Sequence, residues 1–375
     1  MTKAKVLLAL VLLVALVAVG CSRDDGPGEL ILGVAGAHSG DLASYGLPSV
    51  NAAQLVVDKI NAEGGLLGRQ VRLQVEDDQC APDVAANIAA KLVGDKVAAV
   101  IGHICSGATN AAMEIYTGEQ IITISPSATN PALTQSGNFP TFFRTIAPDD
   151  AQGQLQAQFV AETLGLTSVA ILHDGGDYGR GLAEFARAAL QANYPQVNIA
   201  LFEGITVGAV DYSAIINRIG AANVQGVIYG GYHPEASRLV TQMRAQGLNL
   251  AFVSGDGVQD ETFISVAGAA AEGVYATGPM DTSANPVAQA ARAAHQQKYG
   301  EEPGPFFMNA YSATLALVNA IRVAGSTEPA AVMNALRSSP VETPVGRITF
   351  DARGDAIGVG FAMYQVQNGV YQEIR

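Results

Sequence analysis

From residue 30 onward, short apolar runs alternate with amphipathic stretches along the chain. Leu30–Ala37, Val71–Asp77, Val97–Gly102 and Ile121–Ser125 are bounded by Gly, Pro, Asp or Ser and are short enough to be buried strands. Between them, Ser49–Ala62 carries Ala52, Ala53, Val56, Val57 and Ile60 at helical spacing, and Pro82–Val93 opens on Pro82 and Asp83, which suit a first turn. Gly64-Gly65-Leu66-Leu67-Gly68 stops the first helix. Strands that alternate with helices predict a mostly parallel sheet covered on both faces.

The cadence restarts after Arg144–Asp150. Asp150–Leu164, Gly179–Asn193 and Pro234–Gln246 read as helices, and Ser168–His173, Val224–Tyr229, Ala251–Ser254 and Gly273–Thr277 as strands. The halves share no residue-level repeat, so this is a second α/β unit rather than a duplication. Val287–Tyr299, Ala310–Ala324 and Pro329–Leu336 are then helices with no strands of their own to cover, which predicts that they return to the first unit and leave both units discontinuous. Short strands around Ile348–Phe350 and Val359–Tyr364 end the pattern.

The N-terminus breaks it. Lys3 and Lys5 precede an unbroken apolar run, Val6–Val19, which is short for a membrane span and reads as a targeting segment over residues 1–20. Ala18-Val19-Gly20-Cys21 resembles a lipobox, so a lipid on Cys21 is expected, with an ordinary signal peptide cut nearby as the plainer alternative. Residues 21–28 are polar and contain Gly and Pro, as a tether would. The rest of the chain is therefore expected outside the cytoplasm, in the periplasm or at the cell surface. Removing Lys3 and Lys5 takes the formal charge from −13 to −15, which argues against nucleic-acid or anionic-lipid partners. Of the three cysteines, Cys80 and Cys105 remain for a disulfide, the default in an oxidising compartment and worth about 3 kcal/mol in the chain-entropy picture.

In open α/β sheets, ligands sit at the carboxyl ends of strands, so the segments just after strands hold the candidate chemistry. His103-Ile104-Cys105-Ser106-Gly107-Ala108-Thr109 leads into a helix, whose N-terminal N–H groups suit a carboxylate; a plain Ser N-cap is the competing reading. Pro126-Ser127-Ala128-Thr129-Asn130-Pro131 is a second hydroxyl-rich loop at the same edge. Tyr178, Tyr232 and Asp256 fall at the equivalent edge of the second unit, with Asp256 the acid for a cation.

The runs GHICSGAT (102–109), SPSATNPALT (125–134), HDGGDYGRGLA (173–183) and YGGYHPE (229–235), with Tyr45 in GDLASYG (40–46) and the cysteine pair, resemble the leucine/isoleucine/valine-binding proteins of ABC importers across nearly the whole mature chain. The resemblance implies a type I periplasmic-binding fold: two doubly wound, parallel-sheet lobes joined by a three-crossing hinge. The expected lobes are 29–147 with 279–354, and 148–278 with 355–375. It further implies that Ser106 and Thr129 hold the ligand carboxylate and that the Ser127 backbone meets the amino group. Asp256 stands where the family commonly has a glutamate for the α-ammonium. Tyr178 and Tyr232 match tyrosines that close over the ligand, and Tyr45 and Ile104 border the side-chain pocket; His233 receives no role. A monomer delivering its amino acid to ABC permease subunits in the membrane follows, with no cofactor. The alternative is a sensor for another amino acid or an amide, acting through a separate signalling protein.

Enzyme readings find less. No GxSxG elbow, HExxH pair or Walker A loop occurs, and Gly176, Gly179 and Gly181 run GxxGxG, reversed from the dinucleotide fingerprint. His38, His103 and His173 each follow a strand, but none pairs at i,i+3 or i,i+4, so isolated loop histidines are expected rather than a metal site.

Overall fold

Leu30–Gly36 (β1) is buried along nearly its whole length, as a central strand of a parallel sheet must be. The computed structural model describes residues 28–374; the expected targeting segment 1–20, residues 21–27 of the tether and the lipidation site Cys21 lie outside them. Strand β1 sits between Val71–Asp77 (β2) and Ala99–Ile101 (β3), and Ile122–Ser125 (β4) and Phe142–Arg144 (β5) extend the sheet in the order β2-β1-β3-β4-β5, every pairing parallel. Helices Ala43–Ala62 (α1), Pro82–Gly94 (α2) and Ser106–Gly118 (α3) make the crossovers, and Ala132–Gln135 (α4) is a single turn. Helix α1 starts six residues before the expected Ser49, so that Pro48 lies inside it. The missing proline N–H costs a helical bond, and the extra turn offsets that by burying Tyr45 and Gly46.

The second sheet is built from Ser168–His173 (β6), Asn198–Gly204 (β7), Gly226–Gly230 (β8), Ala251–Ser254 (β9) and Tyr275–Pro279 (β10). Its helices are Asp149–Gln158 (α5), Asp177–Asn193 (α6), Ser213–Ala222 (α7), His233–Ala245 (α8) and Glu261–Ala267 (α9). Pro286–Tyr299 (α10), Phe307–Ala324 (α11) and Pro329–Ser338 (α12) follow, then Val341–Thr343 (β11), Gly346–Phe350 (β12) and Ala356–Ile357 (β13) in a small antiparallel sheet. Phe361–Gln367 (β14) and Val370–Ile374 (β15) return to the second sheet as antiparallel edge strands, giving the order β15-β14-β10-β9-β8-β6-β7. Strands β7 and β15 and helix α7 were not expected from the sequence. The two strands lie at sheet edges, half-buried or exposed, where little apolar patterning is required.

The three late helices do return to the first sheet: Ala313, Leu317 and Ile321 of α11 and Leu336 of α12 share one core with Leu32, Val34, Ile101 and Ile124. The chain therefore changes sheets three times, between β5 and α5, between β10 and α10, and between β13 and β14. Because β13 still pairs with β12, the last change runs through residues 358–360, just past the expected boundary at 354 and 355. Arg144 ties the first and third crossings. Fully buried, it donates from Nε to Asp355 Oδ1 (2.6 Å), from Nη1 to the carbonyls of Ala128 (3.2 Å) and Asn130 (2.9 Å), and from Nη2 to Thr134 Oγ1 (2.6 Å). Cys80 and Cys105 form the expected disulfide, binding the loop after β2 to the start of α3.

Candidate ligand-binding site

The carboxyl ends of β3 and β4 send two loops toward the gap between the sheets, and hydroxyls stitch those loops together. Ser125 Oγ donates to the His103 carbonyl (2.6 Å), Ser127 Oγ donates to the Ile104 carbonyl (2.8 Å), and Ser106 Oγ accepts the Asn130 backbone N–H (3.2 Å). The N-cap reading of Ser106 does not hold: Cys105 is the N-cap of α3, Ser106 is its first residue, and no side chain caps the helix. That end keeps unanswered N–H groups and a positive dipole end, the setting that suits a carboxylate.

Strand β9 delivers Gly255-Asp256-Gly257 from the opposite side. Asp256 is 2% exposed, and its Oδ1 accepts from the Tyr178 hydroxyl (2.7 Å) and from Gln152 Nε2 (3.0 Å). The same tyrosine oxygen accepts the Gly257 N–H (2.9 Å). Only glycine fits at 257, because a Cβ there would come within 2.7 Å of the Tyr178 ring and 2.8 Å of the Gly231 carbonyl. The Tyr178 and Tyr232 rings lie 5.0 Å apart, centroid to centroid, and Tyr232 reaches to within 6.2 Å of Tyr45 across the gap.

These groups line one narrow, nearly filled cavity between the two sheets. Tyr45, Ile104, Ser106 and Ser127 line it from the first sheet, and Tyr178, Tyr232 and Asp256 from the second. Thr129 does not join them. It is fully buried with its hydroxyl beside the Asp149 carboxylate, so it stands behind the cavity wall rather than in the lining. Two lining residues escaped the sequence reading, Gly257 and Phe306. The Phe306 ring lies 5.7 Å from Tyr45; in Pro305-Phe306-Phe307 it reads as ordinary helix core, and only its left-handed φ of 58° turns it toward the cavity.

Burial pushes the Asp256 carboxyl up to about 6. Asp149, at the start of α5, is raised well above the carboxylate range, first by burial and then by the like charge of Asp256. Burial also raises the phenols of Tyr45, Tyr178 and Tyr232 well above their ordinary range, which keeps them neutral. His233 packs edge-on against Tyr45 at 5.3 Å and thus backs the cavity wall. His103 is a loop histidine fully buried between Asp78 (Nδ1 to Oδ2, 2.6 Å) and Tyr116 (Nε2 to the hydroxyl, 3.1 Å). Among the described residues, no group of three or more His, Cys, Asp or Glu could hold a metal.

Direct hydrogen bonds close the gap around the cavity. The Tyr45 hydroxyl donates to the Gly257 carbonyl (2.7 Å) and Ser44 Oγ to Asp260 Oδ2 (2.5 Å); on the other flank Asn110 Nδ2 donates to Asp177 Oδ2 (3.2 Å) and Asn130 Nδ2 to the Asp177 carbonyl (2.6 Å). An anion-binding helix end, a buried acid opposite it and apolar walls between them match a small zwitterion with an apolar body. The family model for periplasmic binding proteins matches residues 29–370. The chain belongs to that family. A leucine-, isoleucine-, valine-, threonine- and alanine-binding protein of Pseudomonas aeruginosa is 36% identical over 89% of this chain and 89% of its own length. A leucine-specific-binding protein of Salmonella typhimurium is 36% identical over 97% of this chain and 96% of its own. Among solved structures, this periplasmic binding protein is similar to a leucine-binding protein of Thermotoga maritima (TM-score 0.84, 26% identity, covering 92% of this chain and 98% of that one). It is also similar to a branched-chain amino acid transporter substrate-binding protein of Streptococcus pneumoniae solved with isoleucine (TM-score 0.81, 29% identity, 92% and 100%). The type I periplasmic-binding fold and an extracytoplasmic location follow from membership.

Proposed function

We propose that this chain is the solute-binding component of an ABC importer and closes around a branched-chain amino acid (Leu, Ile or Val), which it hands to membrane permease subunits. The ligand carboxylate meets the N-terminus of α3 at Ser106, with the Ser127 backbone beside it, and the α-ammonium meets Asp256. The aliphatic side chain packs against Tyr45, Ile104 and Phe306, while Tyr178 and Tyr232 cover the ligand. The observation that supports this most directly is one buried acid facing an anion-binding helix end across a single small cavity. A zwitterion removed from water needs both charges answered, or its desolvation defeats binding. An apolar wall discriminates by only about 1–3 kcal/mol per methylene, so selectivity among Leu, Ile and Val is shallow.

In this reading the lobes follow the expected division, 29–147 with 279–354 and 148–278 with 355–375, except that residues 355–357 stay with the first lobe through β13, and the protein works as a monomer. A lipid on Cys21 holds it to the membrane, and transport is driven by a partner ATPase, so the chain catalyses nothing. Calorimetric titration of refolded, ligand-stripped protein against the common amino acids tests the assignment. Heats for Leu, Ile and Val support it, and heats only for an amide or for a non-amino acid defeat it. Amino acid recovered intact from the denatured protein supports binding without turnover, and a diacylglyceryl mass on a Cys21 N-terminal peptide supports the anchor.

A further inference from the structure

Behind the cavity wall stands a second carboxylate. Asp149 is fully buried, and Gln152, three residues on in α5, donates the same Nε2 to Asp149 Oδ1 (2.8 Å) and to Asp256 Oδ1 (3.0 Å). The other end of that amide is also committed, since Gln152 Oε1 accepts the Asp256 backbone N–H (2.9 Å) and the Thr277 hydroxyl. Gln152 therefore cannot turn to offer either acid a better donor. Asp149 Oδ2 has no partner within hydrogen-bond distance, and the Thr129 hydroxyl beside it eases its charge only from longer range.

The groups around this pair do not neutralise it. Arg144 is the nearby cation, and its guanidinium is spent on Asp355, Thr134 and two backbone carbonyls. Tyr178 gives its one proton to Asp256, and the phenols of Tyr45 and Tyr232, held neutral by burial, add no charge. Two carboxylates bridged by one neutral amide and removed from water do not both ionise without a cation between them. The upward displacement of both acids by burial agrees with that geometry.

We propose that Asp149 and Asp256 form a carboxyl pair sharing a single proton, with Asp149 a positioning residue that acts through Gln152, and that the ammonium of the ligand displaces this proton on binding. The inference rests on the amino-acid reading above. In the exchange an O–H bond of the pair breaks, its proton passes to solvent, and N–H···O bonds from the ammonium form, so the pair and its cation keep one net negative charge throughout. Ligand and proton then compete. Affinity rises by about tenfold per pH unit up to the higher titration of the pair and is flat above it.

The test is calorimetric titration with leucine at one pH in several buffers of different ionisation enthalpy, whose slope counts protons. The expected result is about one proton released per leucine bound by the natural chain and close to none by Asp149→Asn. With 4-methylpentanoate, which has the carboxylate and side chain of leucine but no ammonium, no proton is released. No release by the natural chain, or an unchanged release by Asp149→Asn, overturns the proposal. If no amino acid binds at all, the functional reading has failed, and the pair is tested without ligand by carbon-13 NMR titration of the aspartate carboxyls of the natural chain. A carboxyl step displaced toward neutrality supports the pair, and aspartates all titrating in the ordinary range overturn it.

Discussion

Replacing Asp256 with Asn separates charge from shape at the centre of the site. Asp256 Oδ1 accepts from Tyr178 and Gln152, and an asparagine carbonyl oxygen in the same place keeps both bonds, so the fold is retained and only the negative charge goes. Two opposite effects follow. A hydrogen bond to a charged partner contributes about 1.5–3 kcal/mol against about 0.5–1.5 for a neutral one, so leucine binds on the order of 1–2 kcal/mol more weakly, tenfold or more. Without ligand the sign reverses. The folded carboxyl titrates near 6 against 3.8 when free in solution, so between those values the folded chain binds more protons than the unfolded one. Stability therefore rises as pH falls from 7 through 6 toward 4. At neutral pH the ionised carboxylate costs on the order of 1–3 kcal/mol in its shared, buried setting. Asp256→Asn should accordingly raise the thermal midpoint of the stripped protein by a few degrees at pH 7.5 and by much less at pH 5, while calorimetry shows weaker leucine binding. Unchanged affinity would remove Asp256 from the site, and a lower midpoint at pH 7.5 would refute the account of its burial.

Three further outcomes test the surroundings. Cys105→Ser opens a loop with ends 25 residues apart in sequence and should lower unfolding stability by about 3 kcal/mol in urea; reductant should reproduce that loss in the natural chain and add nothing to the variant. Gly257→Ala forces a methyl against the Tyr178 ring and should weaken leucine binding by about tenfold or more with an unchanged far-ultraviolet spectrum, an outcome excluded if affinity is untouched. Arg144→Met leaves the buried Asp355 with only its longer, exposed partner Arg353 at 3.9 Å and should cost about 3 kcal/mol; adding Asp355→Asn should recover part of the loss, and strictly additive effects would show that the pair does not act as a unit.

The sequence showed the site more clearly where a single residue type implied its chemistry. Asp256 stands alone after a strand, and Ser106 and Ser127 lie in small-residue loops after strands, so each could be placed from pattern and resemblance. Asp149 could not. In Pro148-Asp149-Asp150 it reads as the acidic first turn that any helix favours, and only the packing of α5 against the second sheet shows that Asp149 is sealed while Asp150 is not. Gln152 shared that fate, since a polar residue at helical spacing carries no mark of burial. Thr129 is harder to read for a related reason: its loop is legible, but the direction of one hydroxyl depends on tertiary contacts that no local rule describes. The first helix was expected from Ser49, whereas burial of Tyr45 outweighs the one helical bond lost at Pro48 and carries its start back to Ala43.

The buried acids also explain why closure should depend on ligand. Direct hydrogen bonds span the gap through Tyr45, Ser44, Asn110 and Asn130, and at about 0.5–1.5 kcal/mol net apiece they favour closing by a few kcal/mol. Against them, closing seals Asp149 and Asp256 with Gln152 and Tyr178 as their side-chain donors, and no lysine or arginine lines the cavity among the described residues. Terms of similar size and opposite sign leave the open and closed forms within a few kcal/mol of each other, the range in which a ligand can move the population. A small cation with an anionic end is the addition that reverses the balance: its ammonium answers the acids and its carboxylate the helix end, neither of which a neutral aliphatic molecule of the same size can do. Closure then reports the presence of a zwitterion rather than of any apolar solute, which is what a membrane partner that engages the closed form requires.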